Sequence, residues 1–406
     1  PPRSLRIDLD DGSFVLRSPV ALKPYARCVG EWLERWARET PEAPALAERT
    51  PDGSGWRMLR WGELREAVGR TAQGLLDLDL PPGPVVILSD NAIDHAVLML
   101  AAMHVGRAAC SLSSAYSRTA RDFGRLRQML QVLQPALIYA SDARLYGPAL
   151  TACETRAPCV FSAHAQHWPG GLDFEALMAR PETAAVQTAY ESIAPDTHAK
   201  YLLTSGSTGT PKVVINTHRM WCANQQQMRQ SMPLLTEERP VLIDWLPWNH
   251  TFGGNHNVGI VLYNGGTLYI DDGKPTPKGM AETLRNLREI SPTVYFNVPK
   301  GFEEIATAME TDEQLRRTLF ARVRAFMFAG AGLSQAVWDR LETLAEATVG
   351  ERIRIITGLG MTETAPSCTF AVGTDVRSGW IGLPVPGVEV KLVRDEIGRA
   401  SCRERV

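Results

Sequence analysis

The chain has 406 residues, 44% hydrophobic and 22% charged, which is ordinary for a globular protein and long enough for more than one core. A net charge of −2 gives no footprint for nucleic acid, and the longest apolar run, about Ala96–Val105, is broken by His104 and too short to span a bilayer. No secretory signal is visible, so neither a nucleic-acid nor a membrane partner is expected. The seven cysteines are scattered and no pair has CxxC spacing, which argues against a metal or disulfide framework and for a reducing, cytoplasmic setting.

In chain order, Val29–Glu39 places Val29, Trp32, Leu33 and Trp36 at helical spacing. Ala45–Glu48 and Trp56–Trp61 read as strands around the turn Thr50–Gly55. Leu64–Leu76 is an amphipathic helix, Pro84–Leu88 a buried strand, and Asn91 is placed to cap a helix running to His104. A helix over Arg121–Leu133 and strands at Ala136–Ala140 and Cys159–Ser162 follow. The polar stretch Asp173–Glu191 reads as a join between two subdomains. Beyond it, Val241–Leu246, Thr267–Ile270, Thr293–Phe296, Val323–Phe328 and Ile353–Ile356 are short apolar strands. Helices are expected near Gly279–Ile290, Gly301–Met309 and Ser334–Ala347. Strand–helix alternation predicts an α/β fold with largely parallel sheets. The expected layout is a first αβ subdomain over 1–190, a second over 191–377, and the start of a β subdomain over 378–395. Loops at the carboxyl ends of parallel strands form clefts. Pro247–Gly254, Asn297–Lys300, Gly330–Gly332 and Gly358–Glu363 are expected to line one.

The stretch with the densest chemistry is Thr204-Ser-Gly-Ser-Thr-Gly-Thr-Pro-Lys212, between the apolar runs Tyr201–Leu203 and Val213–Ile215. Gly206 and Gly209 allow backbone N–H groups to turn towards an anion. Thr204, Ser205, Ser207, Thr208 and Thr210 add hydroxyl donors, and Lys212 adds a charge suited to phosphate. The spacing is not that of a Walker A loop. From the residues alone, a phosphate cradle and a polar hairpin turn both stay open. Thr362-Glu363 follows a strand end. The Thr hydroxyl could bond phosphate and the carboxylate could hold Mg²⁺ beside a polyphosphate, or the pair could cap a helix. The small residues Gly330, Ala331 and Gly332 let a flat ring approach the backbone while Ser334 caps the next helix.

Thr204–Lys212 resembles the signature loop of adenylate-forming enzymes, the superfamily of acyl-CoA synthetases, luciferases and peptide-synthetase adenylation domains. Thr357-Gly-Leu-Gly-Met-Thr-Glu-Thr364 resembles the family's second nucleotide motif, downstream in the expected order. The resemblance implies the large N-terminal domain of that fold, with ATP, Mg²⁺ and CoA as reactants. It places Thr204–Thr210 and Lys212 on the ATP phosphates and Gly330–Gly332 at the adenine. Gly358, Leu359, Gly360, Met361 and Thr362 would face the nucleotide, and Glu363 the Mg²⁺. Trp245-Leu-Pro-Trp-Asn-His-Thr-Phe252 resembles the motif that carries a residue near the acyl carbonyl. That assigns His250 a positioning role and sets Phe252 beside the acyl group.

Outside the shared motifs, Ile215–Gln226, Asn249–His256, Leu262–Pro277, Ala115–Ser117 with Asp122–Leu126, and Phe296–Lys300 are similar to the feruloyl-CoA synthase branch, over about Val15–Val393. The branch implies a hydroxycinnamate substrate, with Asn255, His256 and Asn297 as candidates for the acyl pocket; the alternatives are a medium-chain fatty or benzoic acid, or a non-catalytic ATP-binding module. Family habit allows a homodimer. The family's ribose-binding aspartate, hinge and C-terminal domain with its lysine have no counterpart before the end of the chain, so weak binding and poor turnover are expected. Glu396–Val406 can be back-translated into a sequence resembling a sequencing-adapter read, and the native frame is expected to stop near Asp395.

Overall fold

A computed structural model describes residues 3–120, 122–205, 211–394 and 400–402. The chain divides into two compact units, one formed by 26–222 with 247–254, the other by 1–25, 223–246 and 255–406.

The first unit is built on a seven-stranded sheet. Its order is Pro211–Thr217, His198–Ser205, Ala109–Leu112, Val85–Leu88, Leu137–Asp142, Cys159–Ala163, Leu172–Asp173. All neighbours run parallel except the first pair, an antiparallel hairpin. The centre is Val85-Val-Ile-Leu88, buried at every position. Four successive apolar residues suit a strand covered on both faces, and a polar residue there would lose its water. One face takes the helix Ile93–His104, buried at eleven of twelve positions, as a helix apolar nearly all round must be. The opposite face is an apolar cluster in which Leu126, Leu130 and Leu133 of the helix Gly124–Leu133 meet Tyr146 and Leu150 of the helix Ala143–Ala152. Pro44–Arg49 and Trp56–Arg60 pair antiparallel, as expected around Thr50–Gly55. The expected boundary at residue 190 does not coincide with the division in packing. His198–Ser205 and Pro211–Thr217 extend the same sheet as Val85–Leu88, because the Lys200–Ala109 pairing joins them to it.

The second unit holds a parallel sheet of Val294–Asn297, Ala325–Phe328 and Arg354–Ile356. Aromatic edge-to-face pairs fill its core. Tyr295 and Phe302 lie 5.8 Å apart and Phe302 and Phe326 5.5 Å, all three nearly fully buried. Val241–Asp244 and Thr267–Ile270 pair parallel. The helix Gln335–Val349 starts where expected: the Ser334 hydroxyl accepts from the Val337 amide at 3.3 Å.

A four-stranded antiparallel sheet takes Leu5–Asp8, Phe14–Arg17, Glu389–Arg394 and Ala400–Cys402 in that order. Phe14–Arg17 therefore pairs with Glu389–Arg394 of the same unit, whereas its place in the chain had put it in the first αβ subdomain. A strand's own pattern says that it pairs, but not with which distant strand. No helix among the described residues is long and apolar enough to cross a membrane.

Candidate active site

The strands that flank the glycine-rich stretch pair antiparallel, with Thr204 opposite Lys212 and Ser205 opposite Pro211. Gly206, Ser207, Thr208, Gly209 and Thr210 lie outside the described residues, as does the side chain of Ser205. Tyr201, Leu203 and Val213 pack on the apolar cluster, whereas Lys200, Leu202 and Thr204 alternate to the opposite face. Thr204 is half-buried and Lys212 exposed. The hairpin thus presents a hydroxyl and an ammonium on one face at the mouth of its loop.

In the same unit, Pro247–Gly254 forms a tightly folded loop. The His250 amide donates to the Pro247 carbonyl at 3.0 Å, and the Gly254 amide to the His250 carbonyl at 2.8 Å. The Phe252 amide donates to His250 Nδ1 at 3.3 Å. That bond leaves the ring proton on Nε2 and the imidazole neutral. Loss of hydration beside the protein lowers the His250 pKa in the same sense, although the residue as a whole is exposed. His250 therefore offers an N–H donor at Nε2 and has its other nitrogen occupied. Phe252 is buried and opens a π-helical turn, Phe252–Asn257, a form that recurs at functional sites.

Three residues brace this loop from below. The Asn91 carboxamide accepts from the Trp248 amide at 3.0 Å. This corrects the cap expected of Asn91. Ala92 stands at the N-cap without a side-chain bond, and the first-turn amide of Ile93 donates to Glu48 Oε2 at 2.8 Å. The His95 ring meets the Trp248 indole edge-on at 4.9 Å, with Ser89 Oγ 3.0 Å from Nδ1 and Ser111 Oγ 2.7 Å from Nε2. Burial lowers the His95 pKa to about 4, so the ring stays neutral near pH 7. Lys200 Nζ donates to the Gly254 carbonyl at 2.9 Å. None of these three was singled out for the site from the sequence. The one available signal was a lysine inside the apolar run Ala199–Leu203.

The second unit carries the other candidates. Gly330, Ala331 and Gly332 are exposed in the loop after Ala325–Phe328, with Gly330 at φ +87°. A Cβ added at Gly330 or Gly332 would meet nothing within 4 Å, so this loop borders open space. The Thr357–Thr364 motif folds against Pro366–Ala371, with bridges Thr357–Ala371 and Gly360–Ser367. The Leu359 amide donates to Thr369 Oγ1, and the Met361 amide to the Pro366 carbonyl, each at 3.0 Å. A Cβ at Gly358 would stand 2.2 Å from the Thr369 oxygen and one at Gly360 2.4 Å from the Pro366 oxygen. Backbone approach accounts for both glycines, which the resemblance had placed on the nucleotide. Thr362–Thr364 is a 3₁₀ turn with Thr362 half-buried and Glu363 exposed, so the helix-capping alternative for this pair is not what forms.

The acyl-pocket candidates differ among themselves. Asn297 is fully buried and built into the wall: its Nδ2 donates to the Tyr295 hydroxyl at 2.9 Å, and its Oδ1 accepts from Val298 N at 2.8 Å. Both ends of the Asn297 side chain are thus engaged with its own neighbours. Asn255 is fully buried, and its carbonyl accepts from Gln225 Nε2 at 3.0 Å. His256 Nδ1 lies 2.8 Å from Asn257 Oδ1. The His256 ring stands edge-on to Phe296 at 5.1 Å and Phe370 at 6.3 Å, and burial lowers its pKa to about 4. Asp244, also unforeseen, is buried at a strand's carboxyl end with its pKa raised by burial to about 7.

No group of three ligating side chains gathers among the described residues. Glu363, a single exposed carboxylate, suits a Mg²⁺ that arrives already bound to phosphates, the usual habit of that ion. Of the four expected cleft loops, Pro247–Gly254 belongs to one unit and the other three to the other. Asn297 ends a strand and Pro299 already begins a helix, so that segment is hardly a loop at all.

Among known proteins, 3-hydroxybenzoate–CoA ligase of Aromatoleum sp. (strain CIB) is 26% identical over 367 residues, covering 88% of this chain and 64% of that protein. A long-chain-fatty-acid–CoA ligase of Escherichia coli O157:H7 is 27% identical over 238 residues, covering 58% and 40%. The chain thus spans less than two-thirds of the length of either relative. Among solved structures, a benzoate CoA ligase from Burkholderia xenovorans LB400 superposes with a TM-score of 0.72 at 21% identity, over 92% of this chain and 69% of that one. The luciferase-like enzyme of the mealworm Zophobas morio superposes with a TM-score of 0.74 at 14% identity, over 98% and 86%. The fold is that of the N-terminal domain of adenylate-forming enzymes. The model of the AMP-binding enzyme family matches residues 33–403, and the chain belongs to that family.

Proposed function

We propose that the protein is an ATP-dependent acid–thiol ligase. A carboxylate attacks the α-phosphorus of ATP and pyrophosphate leaves. A thiol, that of CoA, then attacks the acyl-adenylate carbonyl, giving the thioester and AMP. The observation that carries this reading is the ordered pair of motifs, Thr204–Lys212 and Thr357–Thr364, in a chain that the family model matches almost throughout. Lys212 offsets charge on the departing pyrophosphate, and a Mg²⁺ brought by the nucleotide, with Glu363 to hold it, would supply further positive charge there. His250 orients the acyl oxygen through its Nε2–H. With Nδ1 already accepting from Phe252 it has no lone pair for a substrate proton, and the reaction needs charge placed more than protons removed.

The acid is a hydroxycinnamate such as ferulate. One point in the structure supports an aromatic acid: His256 sits neutral against two phenylalanine rings, a setting suited to a flat, weakly polar group. A relative that acts on an aromatic acid, 3-hydroxybenzoate–CoA ligase, agrees with it. The fatty-acid alternative rests on the Escherichia coli relative. Calorimetric titration of the chain with feruloyl and octanoyl sulfamoyl-adenosine, stable mimics of the two adenylates, separates them. Tighter feruloyl binding by roughly tenfold, about 1.4 kcal/mol, is expected. Equal affinities would remove the substrate assignment, and no binding of either mimic would remove the ligase reading.

A further inference from the structure

Among the described residues Lys200 is the one lysine that is fully buried. It lies in the middle of the strand His198–Ser205, paired to Asn216 on one side and Ala109 on the other. Its ammonium nitrogen donates to the Gly254 carbonyl at 2.9 Å and stands 4.8 Å from the centre of the Trp221 ring. A buried lysine is expensive unless paired, and here the compensation comes from a carbonyl dipole and a ring face, with no carboxylate within ion-pair distance among the described residues. Burial pulls its pKa down to about 7. A methionine of similar shape would remove that burden. Some use other than packing accounts for a lysine at this position.

The geometry supplies one. Lys200 precedes Thr204 by four residues on the same strand and projects on the same face. The carbonyl it holds ends the loop whose Gly254 amide is bonded to the His250 carbonyl. One side chain therefore ties the strand that delivers the phosphate-side hairpin to the loop that presents His250. We propose that Lys200 is a positioning residue that couples the nucleotide half of the site to the acyl half, setting His250 relative to Thr204 and Lys212. Lys200 touches no reactant. This inference rests on the acid–thiol ligase reading and deepens it.

The test compares AMP with feruloyl sulfamoyl-adenosine, titrated calorimetrically against the unaltered chain and Lys200→Met. The ratio of the two dissociation constants measures how far the acyl half adds to nucleotide binding. In Lys200→Met the melting temperature is expected to hold or rise, and the ratio to fall by roughly tenfold or more, since misplacement of about 1 Å costs up to about a hundredfold in such sites. An unchanged ratio overturns the proposal. So does a parallel weakening of both ligands with a lower melting temperature, the mark of plain structural support. If the unaltered chain binds neither ligand, the ligase reading fails and takes the coupling with it. Should Lys200→Met fail to fold, the unaltered chain still decides. With ¹⁵N-lysine and ¹³C-carbonyl glycine labels, the Lys200 Nζ and Gly254 carbonyl signals are expected to shift together on adding the mimic but not on adding AMP. Signals indifferent to the mimic overturn the proposal.

Discussion

Gly254→Ala isolates the loop that carries His250. An added Cβ at this position would stand 2.1 Å from the Trp248 carbonyl oxygen and 2.9 Å from the Trp248 carbonyl carbon. Carbon and oxygen ordinarily meet at about 3.3 Å or more, so the overlap is roughly 1.2 Å, and it is with backbone, not with the end of a flexible side chain. The Cβ would also come within 3.0 Å of Lys200 Nζ, so the Lys200 contact must give as well. Trp248 cannot retreat freely, because Asn91 holds its amide and His95 packs against its ring. The loop must open. Overpacking of this kind costs about 1–3 kcal/mol, and a domain of this size loses roughly 2–4 °C of melting temperature per kcal/mol. The expected outcome is a fall of roughly 2–12 °C by differential scanning calorimetry, with weaker binding of the feruloyl mimic by roughly tenfold or more. A Gly254→Ala chain that melts within 1 °C of the unaltered one and binds the mimic equally well would refute the account of a braced loop.

Gly332→Ala makes the opposite case. Its Cβ enters open space, so stability should hold within about 0.5 kcal/mol while nucleotide affinity falls; an unchanged affinity would show that no ligand approaches there. Lys212→Ala removes an exposed charge, so the melting temperature should stay put while ATP binding weakens by roughly tenfold and AMP binding by much less, both read by calorimetry. Asn91→Ala leaves the Trp248 amide without its acceptor and should lower stability by about 1–3 kcal/mol in a urea titration. For His95, the folded pKa of about 4 lies below the ordinary value of 6.5. Its contribution is therefore present above pH 6.5 and lost as the pH falls towards 4, by up to about 1.4 kcal/mol per pH unit. Stability measured from pH 7 to pH 4.5 should fall less steeply in His95→Gln, and an identical slope would refute burial of a neutral ring.

Much of the fold was legible where one residue type leaves one option. Val85–Leu88 reads as a central strand because four apolar residues in a row suit only a site covered on both sides. Gln335–Val349 was recognisable from its cap and its period. The helix His218–Ser231 was not, for polar residues dominate it, with the run Asn224–Gln227 at its centre. Its amides are buried and work across the fold. Asn224 Nδ2 donates to the Ser367 carbonyl at 2.8 Å, Gln225 Nε2 to that of Asn255 at 3.0 Å, and Gln227 Nε2 to that of Pro386 at 3.0 Å. Periodicity registers apolar burial and is blind to buried polar side chains that find distant carbonyls. Among the candidates, Thr204, Lys212, Thr362 and Glu363 stood out by residue type with other readings open, and His250 only through the resemblance of its motif. Asn297 matched in type, and its surroundings, two neighbours that engage both ends of its side chain, were not legible.

The sequence by itself determined the alternation of strands and helices, the two strands that flank the glycine-rich stretch, and the order of the two family motifs. These depend on neighbours within a few residues, where spacing dictates which groups face the same way. Only the tertiary structure decided that Phe14–Arg17 pairs with Glu389–Arg394, that Asn91 holds the Trp248 amide in place of capping a helix, and that Lys200 lies wholly buried against Gly254. A hydrogen bond is made or lost within a few tenths of an ångström. Which distant backbone groups come that close is set by the packing of whole sheets and helices, and no local pattern carries that information.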